Sequence, residues 1–426
     1  MSRVVAIGRR TFSALAVPNF RLFFLGQSTS LVGTWMQSVA QSWLVFTVTH
    51  SATAIGFVLA LQTLPVLILA PYGGVIADRA NKRRLLIVLQ SLMGLQALVL
   101  GLLAVTHVVV FWEICVLAII LGLNNCFETP ARQAFMLEMV GSEQVRNAVS
   151  LNSTMVNAAR AVGPAIAGLL IATVGVGVCF LVNAASFIAV VASLTSMDPT
   201  ALQPSPPAHR ARGQLREGLG YVARAPRLWV PLLMAGMVGM LAYEFQVTLP
   251  VVAKQTFGGN AATYGFLTAA MGFGAVFGGL MTAARGRPGI RTMTIAGTGF
   301  GVAMLCVALA PSLAIAFVAM GVTGFAAITF MATGNSTLQL EARPSMRGRV
   351  MALWAVAFMG STPVGGPLIG WVVEAAGARA GIAVGAASCF VAAGIGLFAI
   401  RHLGIGEVST GFAPPVPVPV VAAEAD

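Results

Sequence analysis

Two ionisable residues interrupt long apolar stretches of this 426-residue chain. Glu244 stands within Ala242-Tyr-Glu-Phe-Gln246, and Arg160 within Ala158-Ala-Arg-Ala-Val162. A charge embedded in hydrocarbon is costly, so its retention points to work on protons, ions or solutes. Glu244 is the candidate proton-coupling carboxylate: it can exchange a proton for a cationic or polar molecule. The competing structural reading is pairing with an arginine, or solvation near one surface. Arg160 suits an anionic molecule or the neutralisation of a carboxylate. Uncharged polar side chains accompany them. Gln37 and Gln41 are four apart and share one helix face. With Tyr243, Asn124 and Asn157 they complete the candidates for lining a central cavity, and Gln27, Gln62, Asn125 and Asn152 come next. Trp35, Trp43, Tyr243, Phe245 and Trp354 can supply apolar walls, with lipid contact or packing as the plainer alternative. Glu128 and Arg132, also four apart, are read as an ion pair near one end of a span.

Other chemistries find no support. The five cysteines lie singly in apolar runs and the four histidines are scattered, so neither a metal site nor a cofactor is expected. No Gly-rich loop ending in Gly-Lys-Ser/Thr is present, which argues against nucleotide hydrolysis by this chain. No cluster of His, Asp or Ser collects at one end of the apolar segments, so an enzyme is not expected.

The elements that hold these residues follow from composition. The chain is 58% hydrophobic and 9% charged, against roughly 25% charged in soluble domains. So few charges cannot cover a water-facing surface, and the solvent must be a bilayer. Twelve stretches are long enough to cross one, at about 20–48, 53–77, 84–105, 110–131, 147–173, 178–197, 227–255, 262–284, 292–310, 313–338, 348–375 and 381–401. The net charge of +12 does not imply nucleic acid, because the basic residues cluster between apolar stretches. With both termini cytoplasmic, all 25 Lys and Arg fall inside except Arg160, Lys254 and Arg379, as positive-inside orientation demands. Met1 to Pro18 contains Arg3, Arg9 and Arg10 but no apolar run followed by a cleavage site. The first span is therefore expected to act as the insertion signal.

The layout predicts an all-α membrane protein of two six-helix halves, 1–197 and 227–401, joined by a polar cytoplasmic linker, 198–226, and followed by a disordered cytoplasmic tail, 402–426. Residues 212–225 of the linker have the pattern of a short amphipathic surface helix. The halves resemble each other in sequence. Glu138, Ser142, Arg146, Gly163, Pro164 and Phe187 each recur 203 positions later, as Glu341, Ser345, Arg349, Gly366, Pro367 and Phe390. Arg21, Leu22 and Gly33 recur at 206 as Arg227, Leu228 and Gly239. Parallel repeats place a solute site at their interface near mid-membrane, and rocking of the halves exposes it alternately. The paired Gly163-Pro164 and Gly366-Pro367 are candidate bends for such a motion, or static kinks for packing.

The loop after the second span reads Gly74-Val-Ile-Ala-Asp78-Arg79-Ala-Asn81-Lys82-Arg83-Arg84. It resembles the loop signature of the major facilitator superfamily. The resemblance covers essentially the whole chain. It implies that Gly74, Asp78, Arg79, Lys82, Arg83 and Arg84 form a cytoplasmic gate latch that stabilises the outward-facing state. Asn81 stands where glycine is usual. The matching loop of the second half, Gly278-Gly-Leu-Met-Thr-Ala-Ala-Arg285-Gly-Arg287, lacks the Asp-Arg pair, so such a latch is asymmetric.

Further segments resemble the drug:proton antiporter branch that includes the enterobactin exporter and macrolide efflux proteins. They are Asn19-Phe-Arg-Leu22, Gly33-Thr-Trp-Met-Gln37, Pro130-Ala-Arg-Gln-Ala-Phe135, Arg146 to Ser153, and Arg160-Ala-Val-Gly-Pro-Ala-Ile-Ala-Gly168. The resemblance implies a monomeric, multi-pass cell (inner) membrane transporter that exports a drug, siderophore or metabolite against protons by alternating access. Proton-coupled import of a nutrient is the alternative, and a lipid-handling protein or membrane enzyme is the alternative of another class.

Overall fold

The computed structural model describes residues 12–203, 214–285 and 288–406. The tail expected beyond 406, and the proline-rich part of the linker at 204–213, lie outside the described residues. Among the described residues every regular element is a helix: α1 (Pro18–Thr49), α2 (Ala52–Arg79), α3 (Lys82–Val105), α4 (Phe111–Val174), α5 (Val176–Thr195), α6 (Gln214–Ala223), α7 (Pro226–Leu241), α8 (Phe245–Val251), α9 (Ala261–Arg285), α10 (Ile290–Leu309), α11 (Leu313–Glu341), α12 (Arg347–Met359), α13 (Thr362–Ala376) and α14 (Ala378–Leu403), besides short 3-10 and π turns.

Helix boundaries follow from sequence. Pro18 opens α1, where its missing N–H is no loss. Ser51 caps α2 by accepting from the Ala54 N–H, and Asn81 caps α3 from the Arg84 N–H, both at 3.0 Å. α4 runs into α5 through Gly175 (φ 94°, ψ 162°), and α13 into α14 through Gly377 (φ 89°, ψ 163°). Only glycine takes that conformation cheaply. The two turns share this conformation 202 positions apart, one residue off the register of the flanking repeat.

Among the described residues ten helices are long and apolar enough to cross a membrane. α4 counts once among them, yet its 64 residues would extend about 96 Å at 1.5 Å per residue, far more than one crossing. Its chain breaks at Gly141 (φ 70°, ψ 176°), giving arms at 111–140 and 142–174. α1 adds the twelfth crossing: 32 residues long, it is less apolar than the others because polar groups dilute it. The loop expected between the fourth and fifth spans is thus helical. Its residues, from Arg132 to Arg146, include many strong helix formers and only one glycine.

The spans form two bundles. In the first, α1 packs on α4 and α5, α2 on α4, and α3 on α5; in the second, α9 packs on α11, and α10 on α11 and α14. The end rich in Lys and Arg is called the basic end, and the opposite one the far end. At the basic end each bundle has its own clamp. Lys82 pairs with Glu138 at 2.7 Å in the first, and Arg227 with Glu341 at 3.1 Å in the second. The acids are repeat partners, while the bases come from different spans. α6 is tied to the second bundle by Glu217–Arg349 at 2.7 Å.

Deeper in the first bundle, Arg132 Nε donates to Glu128 Oε1 at 2.8 Å, and Gln90 Nε2 donates to the same oxygen at 3.2 Å. Glu128 is buried, so removing its cation exposes the desolvation cost of the charge. Arg132→Met should lower stability by about 3 kcal/mol, read as a lower unfolding temperature in detergent. Adding Glu128→Leu should restore most of it. If Arg132→Met unfolds like the parent, the pair is not stabilising.

The bundles meet along two seams. α13 runs beside α2, while α12, the basic half of the same crossing, scarcely touches α2. α9 runs beside α4. The approach is backbone to backbone. A Cβ on Gly370 would lie 2.6 Å from the Ala52 carbonyl, and one on Gly265 would lie 2.5 Å from the Pro164 carbonyl. Gly56 abuts the backbone of Gly366, and Gly168 that of Ala261 and Ala262. At the far end Glu374 accepts from Ser51 Oγ, from the Thr53 N–H at 3.1 Å and from Thr53 Oγ1 at 2.8 Å. These close approaches lie in the far half of the molecule or near its middle. The halves are joined at the far end by backbone contact along both seams.

Candidate functional site

Two crossings of the second bundle are broken near the same depth. α7 ends at Leu241 and α8 begins at Phe245; α12 ends at Met359 and α13 begins at Thr362. The breaks face each other. A Cβ on Gly239 would lie 2.6 Å from the Phe358 carbonyl, and Gly365 abuts the Met240 carbonyl. Glu244 is the residue at the first break, at φ −82° and ψ 41° immediately before α8. It is 4% exposed. The Thr362 hydroxyl donates to its carboxyl. Glu244 Oε1 has no hydrogen-bond partner, and Oε2 lies 3.5 Å from where a Cβ on Gly366 would stand. One carboxyl thus sits at the crossing of two helix breaks, beside the seam with α2.

The first bundle faces this point with amides. A cavity of about 160 Å³ is lined by Gln37, Gln41, Gln62, Gln96, Asn183 and, from α8, Gln246, among others. Its amides are bonded to one another: Gln37 Nε2 donates to Gln96 Oε1 at 3.1 Å, Asn183 Nδ2 to Gln37 Oε1 at 2.6 Å, and Gln41 Nε2 to Gln62 Oε1 at 3.3 Å. Such a network is polar but uncharged. Drug-sized ligands occupy pockets of about 300–1,000 Å³, so this niche holds a part of a solute rather than the whole.

Arg160, on the second arm of α4, is partly buried. Its guanidinium lies 4.9 Å over the Trp35 ring, and it interacts electrostatically with Tyr243 across the interface. Its Nε has no partner. Tyr243 anchors an aromatic cluster, with ring centroids 4.7 Å from Phe358 and 5.7 Å from Phe300, and Trp354 stacks on Phe358.

The structure brings together Glu244, Tyr243, Arg160, Gln37 and Gln41 around the interface. It places the other two cavity candidates differently. Asn124 clips α4 to α3, donating to the Leu89 carbonyl at 3.0 Å, and Asn157 donates to the Ser153 carbonyl of its own helix at 2.9 Å. Its neighbour Asn125 lines the cavity instead. Gln96, Asn183 and Gln246 were not among the residues expected there. The signal for them was the one that marks Gln37, an amide within an apolar run.

In the basic loop, Arg83 caps the end of α5, its Nε and Nη2 donating to the Leu194 and Thr195 carbonyls at 2.7 Å. Lys82 belongs to the clamp with Glu138. Arg79 closes α2 and Arg84 lies in the first turn of α3. Gly74 and Asp78 fall in the last turns of α2, and their side chains lie outside the described ones. Both Gly-Pro pairs sit within helices and serve as contact points, Gly163 against α1 and Gly366 against Gly56. The break in the eleventh crossing falls before Gly366-Pro367, between Met359 and Thr362.

Similarity to known proteins agrees with this architecture. A family model described as transmembrane secretion effector matches residues 9–420. The staphyloferrin A transporter of Staphylococcus aureus is 31% identical over 176 residues, 41% of this chain and 44% of that protein, so the match spans less than half the length of that relative. The enterobactin exporter EntS of Escherichia coli is 26% identical over 356 residues, 83% of this chain and 85% of that protein. Among solved structures, the bacterial homologue of the lysosomal transporter Spinster, inward-facing and occupied, superposes with a TM-score of 0.71 at 14% identity, over 90% of this chain and 96% of that one. The nucleoside transporter NupG gives 0.71 at 14% identity, over 90% and 98%.

Proposed function

Since the chain belongs to the transmembrane secretion effector family of the major facilitator superfamily, and is therefore a multi-pass membrane transporter of small molecules and not an enzyme, we propose that it exports its solute in exchange for protons. The observation that carries the exchange reading is Glu244: a carboxyl in the membrane interior, with one oxygen unpartnered, at the junction of two broken helices. A group so placed can be loaded with a proton from one side and unloaded to the other as the halves rock. Export is the direction named for the enterobactin relative, and it comes to this chain as part of the proposal.

In this reading the basic end is cytoplasmic, with both termini there, by the positive-inside rule. The halves are 1–197 and 227–401, joined by the linker 198–226, with a cytoplasmic tail at 402–426. The joined far end then faces outward, and the far-half contacts between the bundles support an inward-facing state. The niche of amides and the Arg160–Trp35–Tyr243 group are the solute-contacting surfaces, and the basic loop from Gly74 to Arg84 is the latch of the opposite state.

The test is proton movement in proteoliposomes loaded with a pH-sensitive dye, with siderophores, macrolides and lipophilic cations offered in turn. Proton flow opposite to solute flow is the expected result for at least one class. Proton flow in the same direction would replace export with coupled import. Solute movement with no proton movement would remove the proton from the cycle.

A further inference from the structure

Arg160 is the one described charged side chain in the interior of the first bundle whose protein contacts include neither a carboxylate nor a hydrogen bond. A guanidinium carries five N–H donors in a planar fork. Arg160 lies over the face of Trp35 and interacts with Tyr243, neither of which neutralises a charge. The contrast with Arg132, which has Glu128 at 2.8 Å, is direct. Glu244, on the residue next to Tyr243, uses Thr362 rather than Arg160.

The position is fixed from both sides. The Arg160 carbonyl lies 2.8 Å from where a Cβ on Gly272 of α9 would stand, so the backbone cannot rotate toward lipid. Gly163, one turn on, is packed on Trp35. The fork is therefore held at the seam between the halves, beside α9.

We propose that Arg160 is the docking point for an acidic group of the transported molecule, and that the molecule is an organic anion with a planar oxyanion beside an aromatic or apolar body. A planar fork matches a carboxylate, sulfonate or phosphate in bidentate fashion. Trp35 backs the guanidinium, and Tyr243 with Phe358, Phe300 and Trp354 offers an aromatic wall next to it. The amides of Gln37 and Gln246 can hold neutral polar groups of the same molecule. This assignment rests on the transport reading, but its test needs no transport.

The experiment uses the full chain in detergent with Trp35 as the only tryptophan, the other five replaced by phenylalanine. Iodide is the anionic quencher of Trp35 fluorescence and acrylamide the neutral one. A positive site concentrates anions locally, so Arg160→Gln should lower the iodide quenching constant about tenfold and leave the acrylamide constant unchanged. Arg160→Lys should keep most of the iodide effect. Excess phenylacetate should protect Trp35 from iodide, and phenylacetamide, its neutral isostere, should not. An iodide constant that does not respond to Arg160→Gln, or equal protection by acid and amide, would overturn the assignment. Should the single-tryptophan protein fail to fold, the difference between the intact protein and Trp35→Phe gives the same comparison. Should Arg160→Gln fail to fold, the acid–amide comparison decides alone. Failure here would leave proton-coupled transport standing. Failure of proton coupling, with the anion preference intact, would leave the site standing.

Discussion

Glu244→Gln should abolish solute-driven proton movement in proteoliposomes while leaving solute binding in place. The substitution keeps side-chain shape and retains an oxygen that can accept from Thr362, so the junction of the two breaks stays assembled. It removes the one property an amide lacks, the ability to take up and release a proton. A loss of at least about a hundredfold in coupled flux is expected, since positioned proton transfer groups contribute roughly 10²–10⁴ in rate. Solute affinity, read by competition in detergent, should change by less than about threefold, well under the tenfold that 1.4 kcal/mol represents. Glu244→Ala is the poorer test, because it also empties space at the junction. If Glu244→Gln couples normally, Glu244 is a structural group that ties α8 to α13. If binding vanishes with coupling, the carboxyl contacts the solute itself and the exchange is direct competition.

The second large effect concerns the far-end seams. Gly265→Leu should drive the halves apart at the far end. A Cβ at this position already falls 2.5 Å from the Pro164 carbonyl and 2.6 Å from the Gly168 Cα, and both are backbone atoms that cannot swing aside. Forcing extra carbons into packed structure costs about 1–3 kcal/mol, which shifts a two-state equilibrium by roughly 5–150-fold. Spin labels on His107→Cys and Leu309→Cys, one in each half toward the far end, should report a longer distance in the Gly265→Leu protein. Gly279→Leu, on the same helix with open space where its Cβ would stand, should leave the distance unchanged. An unchanged distance in Gly265→Leu would mean that α9 slides to absorb the side chain and that the seam is not a moving gate.

Much of this was legible in residue order. The twelve crossings, the parallel repeat and the polar face through Gln37 and Gln41 follow from hydropathy, a constant offset and helical spacing. Glu244 and Arg160 stand out for a simple reason: charge in hydrocarbon is rare, so each instance is informative. The breaks were not legible. The seventh crossing reads as one run from 227 to 255, and nothing in Leu241-Ala-Tyr-Glu244 is a strong helix breaker. The break is set by tertiary contact, with Gly365 and Gly239 letting two crossings press backbone to backbone. The amide niche was only half visible, because sequence shows that Gln96 and Asn183 are amides in apolar runs but not that they face Gln37. Asn124 and Asn125 show the same limit: adjacent residues of one type, about 100° apart on a helix, one clipping a neighbour and the other lining the cavity.

The polar groups that make α1 useful have a cost at an earlier stage of the protein's life. Gln27, Gln37 and Gln41 are each buried, Gln37 and Gln41 bonded to amides of later helices, and α1 is the least apolar of the crossings. When α1 leaves the ribosome, α3, which holds Gln37, and α5, which buries Asn183 against it, do not yet exist. An isolated α1 is a weak stop for the insertion machinery, so its place in the bilayer depends on retention until its partners emerge. Biogenesis of this chain is therefore expected to be cooperative across its first bundle. The same amides that line the cavity leave the nascent first helix dependent on its later partners.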